Sequence, residues 1–145
     1  MTLILEVVAP RLLGPALMLA AAIIVKGYTD VGDGFSAGVI VALAVALRYI
    51  ALGQEAAERG LPVLRRAPLI AVCGLLVALA VGFGGVAAGD PPFTHLPAPG
   101  EEVVDVGTLE VATAVAFDVG LFLLVAGSLV MLIHHLARLV EEGMS

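Results

Sequence analysis

Charge is scarce in this chain. Asp, Glu, Lys and Arg make up 14% of its 145 residues, while hydrophobic residues make up 61%. Soluble domains carry about 25% charged and about 45–50% apolar residues, and a small domain has too much surface for its volume to do without polar cover. A soluble enzyme, a disordered chain and a nucleic-acid-binding protein are excluded on that ground. Basic residues are scarcer still. Seven Lys and Arg face thirteen Asp and Glu, a net charge of −6, so there is no general footprint for phosphate backbones or anionic headgroups. Tryptophan is absent. The one cysteine, Cys73, makes neither an internal disulfide nor a metal cluster. No aqueous domain is present to hold a deep cleft, so the reading is of a protein that is not an enzyme and holds no cofactor.

What is there is a set of long apolar runs. A bilayer core of ~30 Å needs about 20 helical residues. Ala67 to Gly89 meets that without a charge, Val111 to Ile133 with one at Asp118, and Gly34 to Gly53 with one at Arg48. Val7 to Val25 contains Arg11, which can snorkel to the headgroups. A cleaved signal peptide needs a basic start, whereas the first ten residues carry Glu6 and no Lys or Arg. The fold expected is an all-α integral membrane protein in one domain, with spans at about 7–27, 34–53, 67–89 and 109–136. Arg59, Arg65 and Arg66 lie between the second and third spans, with Arg48 just before. Asp90, Glu101, Glu102, Asp105 and Glu110 lie between the third and fourth. Positive loops stay in the cytoplasm, so the acidic loop, 90–108, is expected outside and both termini cytoplasmic. Arg138 fits this arrangement and Lys26 opposes it mildly. The loop's Pro91, Pro92, Pro97 and Pro99 forbid a regular helix over 90–100. Residues 141–145 are expected to fray.

Asp118 is the most informative residue. It lies roughly 6 Å outward of the centre of its span, where an aspartate costs about 2.5–3.5 kcal/mol on insertion scales. It is a candidate ion or proton path residue, with Lys26 as candidate charge partner. A structural ion pair, a cap on a neighbouring helix, or an acid kept neutral by burial explains it as well. Thr113, Ala116, Gly120 and Gly127 form a small-residue stripe on the same span. Asp118 and Gly120 are about 200° apart around the helix, so two nearly opposite faces both call for protein. This points to partner subunits in the membrane. The turn from Gly27 to Gly38 holds Gly32, Gly34, Phe35 and Gly38, suited to a tight turn and close helix packing. Asp30 and Asp33 are read as turn and capping residues. His134 and His135 stand near a helix end and His95 stands alone, short of the three or four ligands a zinc site needs, so no metal is expected. The arginine-bearing loop is read as an orientation signal or a contact with a neighbouring protein.

Two stretches carry a family resemblance. Gly27-Tyr28-Thr29-Asp30-Val31-Gly32-Asp33-Gly34-Phe35-Ser36-Ala37-Gly38 and Phe117-Asp118-Val119-Gly120 together resemble the signatures of the B-type member of Mrp/Mnh-type multisubunit sodium/proton antiporters. Gly32, Gly34, Phe35 and Gly38 match its glycine turn; Tyr28 stands where the family has histidine, Val31 where it has proline, and Asp33 where it has a glycine. The resemblance implies an accessory membrane subunit, surrounded by lipid and other membrane subunits, that supports assembly and a secondary ion path. The alternative is an equivalent scaffold protein in a membrane-bound hydrogenase or related redox-driven complex. An independent homo-oligomeric channel is disfavoured, because four short spans leave little room for an alternating-access core.

Overall fold

The computed structural model describes residues 3–26, 33–87, 89 and 103–145, and side chains except those of 103–111. The glycine-turn residues 27–32, Gly32 among them, and residues 90–102 with the proline segment and His95 lie outside the described residues. Helices α1 (Leu3–Lys26), α2 (Asp33–Leu52), α3 (Gln54–Gly60), α4 (Ala67–Ala87) and α5 (Val103–Met144) follow one another, with a 3-10 turn at Pro62–Arg66 between α3 and α4. Among the described residues there is no strand. Four helices are long and apolar enough to cross a bilayer, as the apolar runs predict.

Local chemistry sets the ends. Asp33 stands in the first turn of α2 and Lys26 in the last turn of α1, each favourable to the helix dipole. Pro10 and Pro15 lie inside α1, a placement that membrane helices tolerate better than soluble ones. Gly53 follows α2 with φ 79° and ψ 167°, a positive-φ backbone that glycine adopts without steric cost. Its N–H closes on the Tyr49 carbonyl at 2.9 Å. The chain thereby turns directly into α3, so the segment 54–66 is a folded ledge of short helices. α5 has 42 residues, or about 63 Å, twice the ~30 Å bilayer core. It begins at Val103, ahead of the expected 109. It also remains helical through Met144, where the sequence suggests fraying, because Arg138 and Glu142 pair at 3.0 Å along its last turns.

The long helices pack in the order α1, α2, α5, α4, with α5 between α2 and α4. On α4 the buried residues are Ala67, Ala71, Gly74, Ala78, Gly82 and Gly85, one helical stripe without a large side chain. Gly120 and Gly127 of α5 meet it. A methyl group on Gly127 would come within 2.6 Å of the Ala71 nitrogen, and one on Gly120 within 2.8 Å of the Ala78 nitrogen. Gly34 and Gly38 make the same kind of approach from α2: a methyl group there would overlap the Asp118 carbonyl or lie 2.9 Å from Val125 Cβ. Both faces of α5 that call for protein are therefore covered within the chain. The inference from those faces to outside partners is corrected, because one face takes α4 and the other α2. The surfaces left open are apolar ones on the flanking helices, such as Leu12, Met18 and Val25 of α1 and Leu69, Leu76 and Phe83 of α4.

Candidate functional site

Asp118 is 4% exposed. It faces the α2 side of α5, and its backbone touches the start of α2 at Gly34. That contact places it level with the first turn of α2, while Gly120 two residues on meets Ala78, midway along α4. Lys26, the last residue of α1, is exposed. Phe35 is 57% exposed and points away from the α2–α5 contact that Gly34 and Gly38 make. Gly120 and Gly127 serve the α4–α5 contact.

A second polar site lies at the opposite end. His134 is sixteen residues beyond Asp118 on α5, about 24 Å along the axis. There Glu58 of α3 is buried, its side chain 6% exposed. Three donors from three other elements converge on its carboxylate. Tyr49 of α2 donates its hydroxyl to Oε1 at 3.1 Å. Arg65 of the 3-10 turn donates Nε–H to Oε2 at 3.2 Å. His134 Nδ1 lies 2.6 Å from Oε1, which makes it the protonated ring nitrogen facing an acceptor-only group. Burial pushes the Glu58 carboxyl up, but the hydrogen bonds from His134, Arg65 and Tyr49 outweigh that and hold it below its ordinary 4.5. Arg48 is buried beside Tyr49, and its guanidinium lies against Gly60 at the end of α3.

The apolar frame of this site is Val45, Tyr49, Ala57, Leu64, Ala67 and Val130, drawn from α2 to α5. A cavity of about 340 Å³ opens beside it, lined by Glu58, Arg65, Pro68, Met131, His134 and His135 among others. His135 Nδ1 lies 2.8 Å from the Met131 carbonyl on the exposed side. Among the described residues no three His, Cys, Asp or Glu side chains converge to hold a metal ion. Sequence reasoning missed this cluster. Glu58 stands in a segment that reads as a basic loop, and its partners are 7, 9 and 76 residues away along the chain. The one available signal is an acid among arginines directly after a span that ends in Arg48-Tyr49.

Comparison with known proteins places the chain. Residues 4–131 match the family model described as a domain related to the MnhB subunit of Na+/H+ antiporter. The B subunit of the Na+/H+ antiporter of Alkalihalophilus pseudofirmus is 34% identical over 101 residues, which cover 70% of this chain and 68% of that protein. Its Bacillus subtilis counterpart, also a Na+/H+ antiporter B subunit, is 32% identical over 102 residues, covering 70% and 69%. A probable K+/H+ antiporter protein of Rhizobium meliloti, described as an A/B subunit, is 36% identical over 122 residues, 83% of this chain but 12% of that longer protein. With four bilayer-length apolar helices and a match along most of its length, this chain belongs to the MnhB family of antiporter B subunits.

Proposed function

We propose that this chain is an accessory subunit of a multisubunit cation/proton antiporter, supporting its assembly and contributing a secondary ion path at Asp118. The observation that carries the reading is a carboxylic residue 4% exposed at the packed contact of two bilayer-length helices. An acid in that position is costly without a role. Lys26 is the cation on α1 assigned to it as charge partner. The charge bias of the connections supports a cytoplasmic position for both termini and for the α3 ledge. The open apolar faces of α1 and α4 suit lipid and neighbouring subunits of the complex. Its matched relatives carry antiporter names, two for sodium and one for potassium, which favours an antiporter over a redox-driven complex. The exchanged cation is read out by the assay.

The test is cation/proton exchange in everted vesicles holding the whole complex. Asp118→Asn keeps the size and removes ionisation. It should lower exchange at least tenfold while the complex still assembles, and Asp118→Glu should keep part of the activity. Normal exchange by an assembled Asp118→Asn complex would remove Asp118 from any ion path. Loss of assembly in that variant would instead assign it a structural ion pair.

A further inference from the structure

We propose that Glu58 and His134 form a reversible proton-binding site at the α3 end of the bundle, with the proton carried on Nε2 of His134 and its charge held by the Glu58 carboxylate. The geometry dictates where the proton goes. Both oxygens of Glu58 already accept hydrogen bonds, Oε1 from Tyr49 and His134 and Oε2 from Arg65. A proton on the carboxyl would displace one of these donors. His134 spends Nδ1–H on Glu58, which leaves Nε2 as the open base. Its side chain is 27% exposed, against 6% for Glu58, and lines the cavity of about 340 Å³. Imidazole is the side chain whose charge changes between about pH 5 and 8.

The surrounding charges leave this exchange to His134. From α2, Tyr49 is a neutral donor and the Arg48 guanidinium is turned to Gly60. On α3, Glu55 and Arg59 pair with each other on the exposed face. From the 3-10 turn Arg65 is bound to Glu58, and Arg66 is exposed. From α4, Ala67 and Pro68 line the cavity and carry no charge. From α5, His135 turns to the Met131 carbonyl and Arg138 pairs with Glu142. Uptake of a proton turns the His134–Glu58 contact from a hydrogen bond donated by a neutral ring to a carboxylate into an imidazolium–carboxylate ion pair. Since this contact joins α3 to α5, the ledge is gripped more tightly when the site is protonated. The site lies about 24 Å along α5 from Asp118 and stands apart from the ion path proposed there.

The experiment uses the whole complex in membrane vesicles. Diethylpyrocarbonate acylates the unprotonated imidazole, and peptide mass spectrometry separates His134 from His135. The His134 modification rate, followed from pH 5 to 9, should rise through a single-proton midpoint. Glu58→Gln removes the counter-charge and should move that midpoint down by about one pH unit, a tenfold loss of proton affinity, with the His135 curve unchanged. Tyr49→Phe frees Oε1 for His134 and should move the midpoint up, which supplies a shift of opposite sign if Glu58→Gln does not assemble. A His134 midpoint that stays in place in every variant that assembles would overturn the proposal. So would a His134 that is unreactive across the range while His135 reacts. Because the readout is proton occupancy and not cation exchange, its result is independent of whether Asp118 carries ions.

Discussion

Glu58 shows what one buried acid does when its hydrogen bonds are complete. A carboxylate taken out of water costs several kcal/mol unless it is paired and hydrogen-bonded, and this one gathers a tyrosine, an arginine and a histidine. Removing one neutral donor by Tyr49→Phe should cost about 1 kcal/mol, read as a lower thermal midpoint of the detergent-solubilised complex. Glu58→Leu should cost less than Glu58→Ala, since a leucine refills the volume among Val45, Leu64 and Val130. The pH dependence follows from the direction of the carboxyl. Held below its ordinary 4.5 in the folded chain, Glu58 stabilises the ledge fully above about pH 4.5, and that contribution is lost as the pH falls through the lower folded value. Hydrogen-exchange protection of residues 54–66, corrected for intrinsic rates, should therefore not begin to fall until the pH drops below about 4.5. Protection in Glu58→Gln should already be reduced at pH 7 and show no such step.

The helices divide by side-chain size more than by hydrophobicity. α4 is apolar on every face, so its inner face is distinguished only by carrying alanine and glycine. Small residues let backbones approach, and packing at short range is what joins helices where lipid removes the hydrophobic drive. Two glycines of α4 test this directly. A methyl group on Gly84 meets nothing within 4 Å, while one on Gly74 lies 2.6 Å from the Gly120 carbonyl. Gly84→Ala should be neutral or raise stability by up to about 1 kcal/mol through helix propensity. Gly74→Ala should lower it by about 1–3 kcal/mol through overpacking. Equal thermal midpoints for the two variants would remove the close approach as the source of α4–α5 cohesion. Gly38→Leu acts on the other side of α5 at Val125 and Phe122. It should separate α2 from α5 within the chain, and reduced co-purification with partner proteins should follow from that internal damage while membrane insertion persists.

At the level of the whole molecule the bundle is an open row, with α5 inside and α1 and α4 on its flanks. Such a row presents two broad apolar flanks instead of a closed surface. The chain expressed alone should aggregate or be degraded in detergent, while co-expression with the other members of its complex should yield it in defined stoichiometry. A monodisperse, functional homo-oligomer purified without them would refute this. Orientation is tested by cysteine labelling in a Cys73→Ser background. Ala98→Cys should react with an impermeant reagent from outside the cell, and Glu55→Cys, on the exposed face of α3, only from the cytoplasmic side. The reverse pattern would invert the arrangement drawn from the arginine and acidic connections.

Composition and run length alone determined that this is a four-span, all-α membrane chain, because a bilayer imposes one length and one solvent on every helix that crosses it. The same reading singled out Asp118, since an acid in an apolar run stands out without any knowledge of its neighbours. It also placed Gly34 and Gly38 at a packing contact and set Gly120 and Asp118 on opposite faces of one helix, which follows from 100° per residue. Which helices cover those faces was decided only in three dimensions. In sequence nothing ranks α2 or α4 above a partner protein, because all lipid-facing and helix-facing surfaces are equally apolar. The Glu58 cluster was decided there as well. Its four polar side chains come from four elements, and one of them, His134, reaches it from 76 residues away. What assembles them is the positive-φ Gly53, at which the chain passes from α2 into α3, and the length of α5, which carries His134 to meet Glu58.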